Sequence, residues 1–190
     1  NLGSLIGLLG YPFAVEQFLP VSLQLTDWSW GFVLLACLLA LLGLSLQTEE
    51  GETEGLGRAL PWKLAARVTA IAFIPSSLFL GVTLFVTTDI ASLPLLWVIP
   101  LTLYLLSFIL VYSRHGEWWT AQAQKLHVPA MVGGVVLLGL FGSTWGIFAH
   151  FLCFFVIAVS CHGQIARLRP APESLTAYYF WLSFGGMLGG

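Results

Sequence analysis

Residues 71–113 read IAFIPSSLFLGVTLFVTTDIASLPLLWVIPLTLYLLSFILVYS. Two apolar runs meet at a polar elbow, Thr87-Thr88-Asp89, and each holds an internal proline, Pro75 and Pro100. A hydrocarbon core about 30 Å thick takes ~20 apolar residues per helical crossing, and two such runs back to back meet that demand twice. The stretch predicts a transmembrane helical hairpin, entered through Pro61, Trp62, Lys63 and Arg67. Each proline removes a backbone donor, so a kink is expected in each arm. Ser92 suits the N-cap of the second arm, with Pro94 in its first turn.

Composition widens this reading to the whole chain. The sequence is 58% hydrophobic and 8% charged, against about 25% charged in an ordinary soluble domain, so it cannot supply a water-facing shell. A net charge of -2 gives no basic field for nucleic acid, which is excluded as a partner. Cys37, Cys153 and Cys161 lie in or beside apolar runs with no CxxC spacing and read as small packing residues. The first residues show no initiator methionine and the last lie in an apolar run, so both ends are expected to be cuts through a longer protein.

Outward from the hairpin, helices are predicted over residues 3–19, 28–46, 64–86, 93–113, 128–142, 145–165 and 174–190. The expected fold class is all-α, a polytopic transmembrane helical bundle of about seven crossings with the first and last cut short. Pro12 predicts a kink in the first crossing. Residues 21–27 read as a short polar link. Residues 48–60, with Glu49, Glu50, Glu52 and Glu54 among glycines, read as a flexible acidic loop. Residues 114–127, with Trp118 and Trp119 beside charges, read as a headgroup-level segment. Ser174 is expected to cap the last helix.

The seven Lys and Arg residues check this map. Arg58, Lys63 and Arg67 fall between crossings two and three, Arg114 and Lys125 between four and five, Arg167 and Arg169 between six and seven. The other links hold none. The positive-inside rule then makes these links and the 48–60 loop cytoplasmic, puts the start of the first helix inside, and places the Thr87–Asp89 elbow outside. The expected location is a bacterial inner membrane, with the lipid bilayer as first partner.

Ionisable groups near crossings are costly and mark candidate sites. Glu16 and Asp89, with the kinks at Pro75 and Pro100, are candidates for a transport path; the plainer reading makes both acids wetted residues at helix ends, with neighbouring hydroxyls satisfying the carbonyls that the prolines free. His150 and His162 are candidate ligands. Twelve positions apart, ~18 Å along a helix, they cannot share a metal. One histidine suffices for a haem or chlorin, though an interfacial or hydrogen-bonded histidine is the commoner case. No metal site and no cofactor is evident from spacing. There is no HExxH, GxSxG or phosphate loop, so no catalytic residue is assigned and an enzyme is not the expected reading of these residues. Gly3 and Gly7, Gly185 and Gly189, and Gly186 and Gly190 are each four apart, the spacing of close helix packing, expected between the first and last helices or with another subunit.

Three blocks carry a family resemblance: YPFAVEQFLP at 11–20, AFIPSSLFLGVTLFVTTDIASLPLLWVIPLTLYLLSFIL at 72–110, and CHGQIARLRPAPESLTAYYFWLSFGGMLGG at 161–190. They resemble the membrane portion of bacterial spermidine synthase-like membrane proteins, the fusions of a major facilitator-type part with a spermidine synthase. The resemblance implies a polytopic module often followed by a soluble aminopropyltransferase-like Rossmann domain, whose Gly-rich loop is not in these residues. Gln164 stands where the family pattern tends to have Glu. Three functions are therefore expected in order: a transporter-like module acting as membrane anchor or accessory subunit, partnered by other membrane subunits or a following soluble domain; a carrier of a polyamine-like small solute; or a subunit of a pigment- or haem-bearing energy-transducing complex.

Overall fold

A chain with so few charged side chains satisfies its backbone polar groups internally, and helices do this within a single segment. The computed structural model describes residues 1–46, 58–90 and 95–190, apart from the side chains of residues 46, 89, 90 and 137–145. It is helical, with no strand among the described residues. Residues Gly7–Leu56 form one compact unit; Asn1–Ile6 and Gly57–Gly190 form another.

The first unit is built around Pro12. Helix α1 (Leu2–Gly10) passes into a wider π-helical turn at Tyr11–Val15, then α2 (Glu16–Phe18). The expected kink is thus a π turn, which absorbs the donor missing at Pro12, and Gln17 Nε2 donates to the Pro12 carbonyl at 3.3 Å. Helix α3 runs Val21–Leu46, so residues 21–27 are helical rather than a link. Gln24, the buried polar residue of this unit, explains the early start. Its Nε2 donates to the Leu19 carbonyl at 2.7 Å and its Oε1 accepts from the Tyr11 hydroxyl at 3.2 Å, stitching the corner before α3. From Leu25 to Ser45 every residue of α3 is exposed.

The second unit holds the hairpin. Helix α4 (Trp62–Phe85) contains Pro75 and continues into a π-helical turn at Val86–Ile90. The Thr87-Thr88-Asp89 stretch is therefore a helical extension and not an elbow: Thr87 and Thr88 hydroxyls donate to the carbonyls of Thr83 and Leu84 at 2.8 and 2.6 Å. Helix α5 spans Val98–Val111. Pro100 therefore sits in its first turn, where a missing donor is an orphan anyway, and makes no kink inside the helix. The capping role expected of Ser92 and most of the 48–60 loop lie outside the described residues.

The helical run α6 extends over Gly116–Arg167, 52 residues, where an interfacial segment and two crossings were expected. A straight helix of that length would measure about 78 Å. Contacts between its own ends rule out a straight rod. Glu117 pairs with Arg167; a Cβ on Gly163 would collide with Thr120; Ala123 and Val159 share a buried cluster; a Cβ on Gly134 would lie 3.5 Å from that of Cys153. As one partner's number rises the other's falls, the mark of an antiparallel pair. The run doubles back between Gly134 and Cys153, in a sequence that holds Gly139, Gly142 and Gly146.

Helix α7 (Leu175–Gly189) closes the unit after a 3-10 turn at Pro172–Ser174. Ser174 is at its N-cap position but its side chain makes no capping bond. Among the described residues, three helical stretches are long and apolar enough to cross a membrane: Val21–Ser45, Trp62–Thr88 and Gly146–Arg167. Helix α5 is a shorter apolar helix.

Candidate functional site

Small residues set how closely α7 approaches α4. A Cβ on Gly185 would strike the Thr69 carbonyl, and one on Gly189 the Phe73 carbonyl and Ser76. The Thr69 hydroxyl donates to the Trp181 carbonyl at 3.3 Å across the same seam. A Cβ on Gly186 would meet only Ser76 Oγ, at 3.5 Å, and Gly190 faces its own helix. Among the described residues, a Cβ on Gly3 or Gly7 would meet no other group within 4 Å. The close packing expected of Gly185 and Gly189 thus joins α7 to α4.

On the far side of this seam, α5 and the returning arm of α6 bury a polar cluster. Ser107 and His162 are 0% and 1% exposed. They meet because α5 presents Tyr104, Ser107, Phe108 and Val111 at helical spacing toward α6. The Ser107 hydroxyl lies 2.6 Å from the Tyr104 carbonyl on its own helix. Across the two helices it is hydrogen-bonded to His162 Nδ1 at 2.7 Å. The ring is clamped: it stacks on Phe108 with centroids 3.6 Å apart and meets the Tyr104 edge at 5.0 Å. His162 Nε2 is buried without a hydrogen-bond partner among the described residues, an arrangement that costs ~1–3 kcal/mol. His162 also lines a cavity of about 200 Å³ with Ala72, Tyr104, Phe108, Ile165 and Leu182.

That volume is below the 300–1,000 Å³ usual for a small-molecule pocket. The other candidate histidine, His150, has Nδ1 on the Gly146 carbonyl at 2.8 Å and its ring on Phe85 at 4.8 Å. No group of three metal-ligating side chains is found among the described residues.

Glu16 is exposed in the first unit; Pro75 and Pro100 are buried in the second, packed as apolar residues. The side chain of Asp89 lies outside the described residues. A second cavity, about 530 Å³, lies between α4 and both arms of α6, with Ser77, His127, Ser160, Cys161 and Gln164 on its walls. Sequence reasoning found His162 but missed its partners. The signal for them was the i, i+3, i+4 spacing of Tyr104, Ser107 and Phe108 in an otherwise aliphatic run.

At one end of the second unit the charged links gather. Arg167 Nε donates to Glu117 Oε2 at 3.0 Å and its Nη1 to Gln124 Oε1 at 3.1 Å. The hydrogen bonding from Arg167 holds the Glu117 carboxyl below the ordinary carboxylate range. The Arg58 amide donates to the Glu173 carbonyl at 2.8 Å at the same end. Set against family models, curated proteins and solved structures, the chain finds a match in none of the three.

Proposed function

We propose that the chain is an integral membrane module of transporter-like architecture, which serves as a membrane anchor or accessory subunit and has no catalytic centre in these residues. The observation that carries this reading is α3. From Leu25 to Ser45 it is exposed all round, and after Asp27 that stretch has no charged residue. Such a surface needs lipid or the apolar face of another subunit. The clustered Arg58, Glu117, Arg167 and Glu173 support an orientation with this end in the cytoplasm of a bacterial cell.

The anchor reading is preferred to a polyamine carrier on electrostatic grounds. No carboxylate lines the two cavities described above, and a polycation buried without counter-charges is costly. The resemblance to the membrane part of spermidine synthase-like proteins agrees with an anchoring role for a following domain. Alkaline carbonate washing of membranes tests the proposal: the chain stays in the pellet and leaves only with detergent. Release into the wash overturns it, and concentrative uptake of spermidine by liposomes holding the purified chain would favour a carrier.

A further inference from the structure

The cavity of about 530 Å³ between α4 and the two arms of α6 has the size usual for a small-molecule pocket, and polar groups without partners converge on it. Among the described residues, no hydrogen-bond partner is found for the hydroxyls of Ser77 and Ser160 or for the side-chain amide of Gln164. Ser160 is only 3% exposed. Its oxygen is nevertheless not one of the fully enclosed orphan atoms, Thr83 Oγ1, Thr102 Oγ1 and His162 Nε2, so the surface it keeps is turned to the cavity. His127 adds a defined acceptor. Its Nδ1–H donates to the Gln124 carbonyl at 2.7 Å; a carbonyl only accepts, which fixes that proton and leaves Nε2 of the neutral ring with a bare lone pair.

We propose that this cavity binds the uncharged head of an acylglycerol lipid, whose free hydroxyl donates to His127 Nε2 while an ester carbonyl accepts from Gln164 or Ser160. A purely hydrocarbon occupant leaves the buried donors and acceptors unpaired, which is costly. No charged residue lines the cavity, so a fatty-acid anion or an amine finds no counter-charge. Phe73, Ile74 and Met131 are exposed apolar residues of the lining and mark the side that opens toward lipid; the inference rests on the membrane reading in this respect. Depth selects against a phospholipid. Ser160 is seven residues from Arg167 at the charged end, ~10 Å along the helix, whereas the interfacial layer is roughly 5–8 Å thick in each leaflet. A phosphate stays in that layer, above these groups. A glycerol with a bare hydroxyl sinks below it and leaves its chains in the hydrocarbon.

Native mass spectrometry of the full purified chain in detergent micelles, titrated with dioctanoylglycerol, tests the site. A single adduct that saturates at one lipid per chain is expected. Two relatives isolate the contacts: the O-methyl ether of dioctanoylglycerol, which lacks the donor, and dioctylglycerol, the diether that lacks the carbonyls. Each should bind at least tenfold more weakly. Ser160→Ala combined with Gln164→Met should weaken dioctanoylglycerol binding at least tenfold without lowering the melting temperature of the lipid-free chain, because neither side chain has a hydrogen bond to lose; His127→Phe should do the same to the affinity. Adducts that accumulate without saturating, equal binding of the methyl ether, saturable binding of glycerol itself at similar affinity, unchanged affinity in the variants, or a melting temperature that falls in Ser160→Ala with Gln164→Met overturns the proposal. The membrane reading fails separately, by release of the chain in alkaline carbonate; absent binding by a chain that stays in the pellet overturns the acylglycerol site alone.

Discussion

Arg167 Nε lies 3.0 Å from Glu117 Oε2, although fifty positions separate the two residues. One ion pair at the open end and one near-contact at the closed end, Gly134 against Cys153, define a helical hairpin inside a run whose backbone pattern is helical from Gly116 to Arg167.

The closed end gives the first prediction. A Cβ on Gly134 would sit 3.5 Å from the Cys153 Cβ, within the range of a disulfide. Gly134→Cys, in a background with Cys37 and Cys161 replaced by serine, should form an intramolecular disulfide with native Cys153 on mild oxidation. The readout is loss of both free thiols in the monomer by mass spectrometry. In a straight helix the two would be ~28 Å apart and would stay reduced.

The glycine seam gives the second. Gly185→Val and Gly189→Val drive side chains into α4 backbone and should each cost about 1–3 kcal/mol of stability. Gly3→Ala and Gly7→Ala, with open space around them, should stay within about 0.5 kcal/mol. Thermal unfolding in a mild detergent compares the four.

Ser107→Ala removes the hydrogen-bond partner of His162 Nδ1 and leaves a buried ring nitrogen unpaired, at an expected cost of about 1–3 kcal/mol. His162→Phe removes both buried nitrogens and keeps an aromatic ring in the clamp, so it should cost less than Ser107→Ala. The same unfolding measurement ranks them; the opposite order would mean that packing of the imidazole outweighs its unpaired polarity.

The Glu117–Arg167 pair predicts a small pH dependence. The carboxyl is lowered in the folded chain, so the pair's stabilisation is fully present above the unfolded carboxylate value and is lost as pH falls through the lower, folded one. Glu117→Gln should remove that acid-side decline while leaving neutral-pH stability nearly unchanged, because an exposed pair contributes little and is screened by salt. A pH series of melting temperatures in wild type and variant measures it.

Much of this architecture is legible in the sequence because a bilayer-sized apolar run has few alternatives. The runs around Pro75 and after Trp28 become α4 and α3 with boundaries shifted by local chemistry. Gln24 turns a polar stretch into the first turns of α3, and Pro100 moves the start of α5 to the point where its missing donor is harmless. The polar residues Thr87 and Thr88 do not break the helix because their hydroxyls bond back to its carbonyls. The His162 cluster is legible only in part. A histidine in an apolar helix announces itself, but Ser107 and Tyr104 are fifty-five and fifty-eight positions away in the numbering, and only the packing of α5 on α6 joins them. The packing of Gly185 and Gly189 was readable as a spacing, whereas its partner, α4, was not.

The central claim is a membrane-embedded bundle whose basic links share one side. Single cysteines at Thr88, Ser113 and Ala171, in a chain with its native cysteines replaced, test it directly with a membrane-impermeant maleimide on intact spheroplasts. The account predicts labelling of Thr88→Cys from outside, and of Ser113→Cys and Ala171→Cys only after the membrane is opened. Labelling of all three from the same side would contradict it.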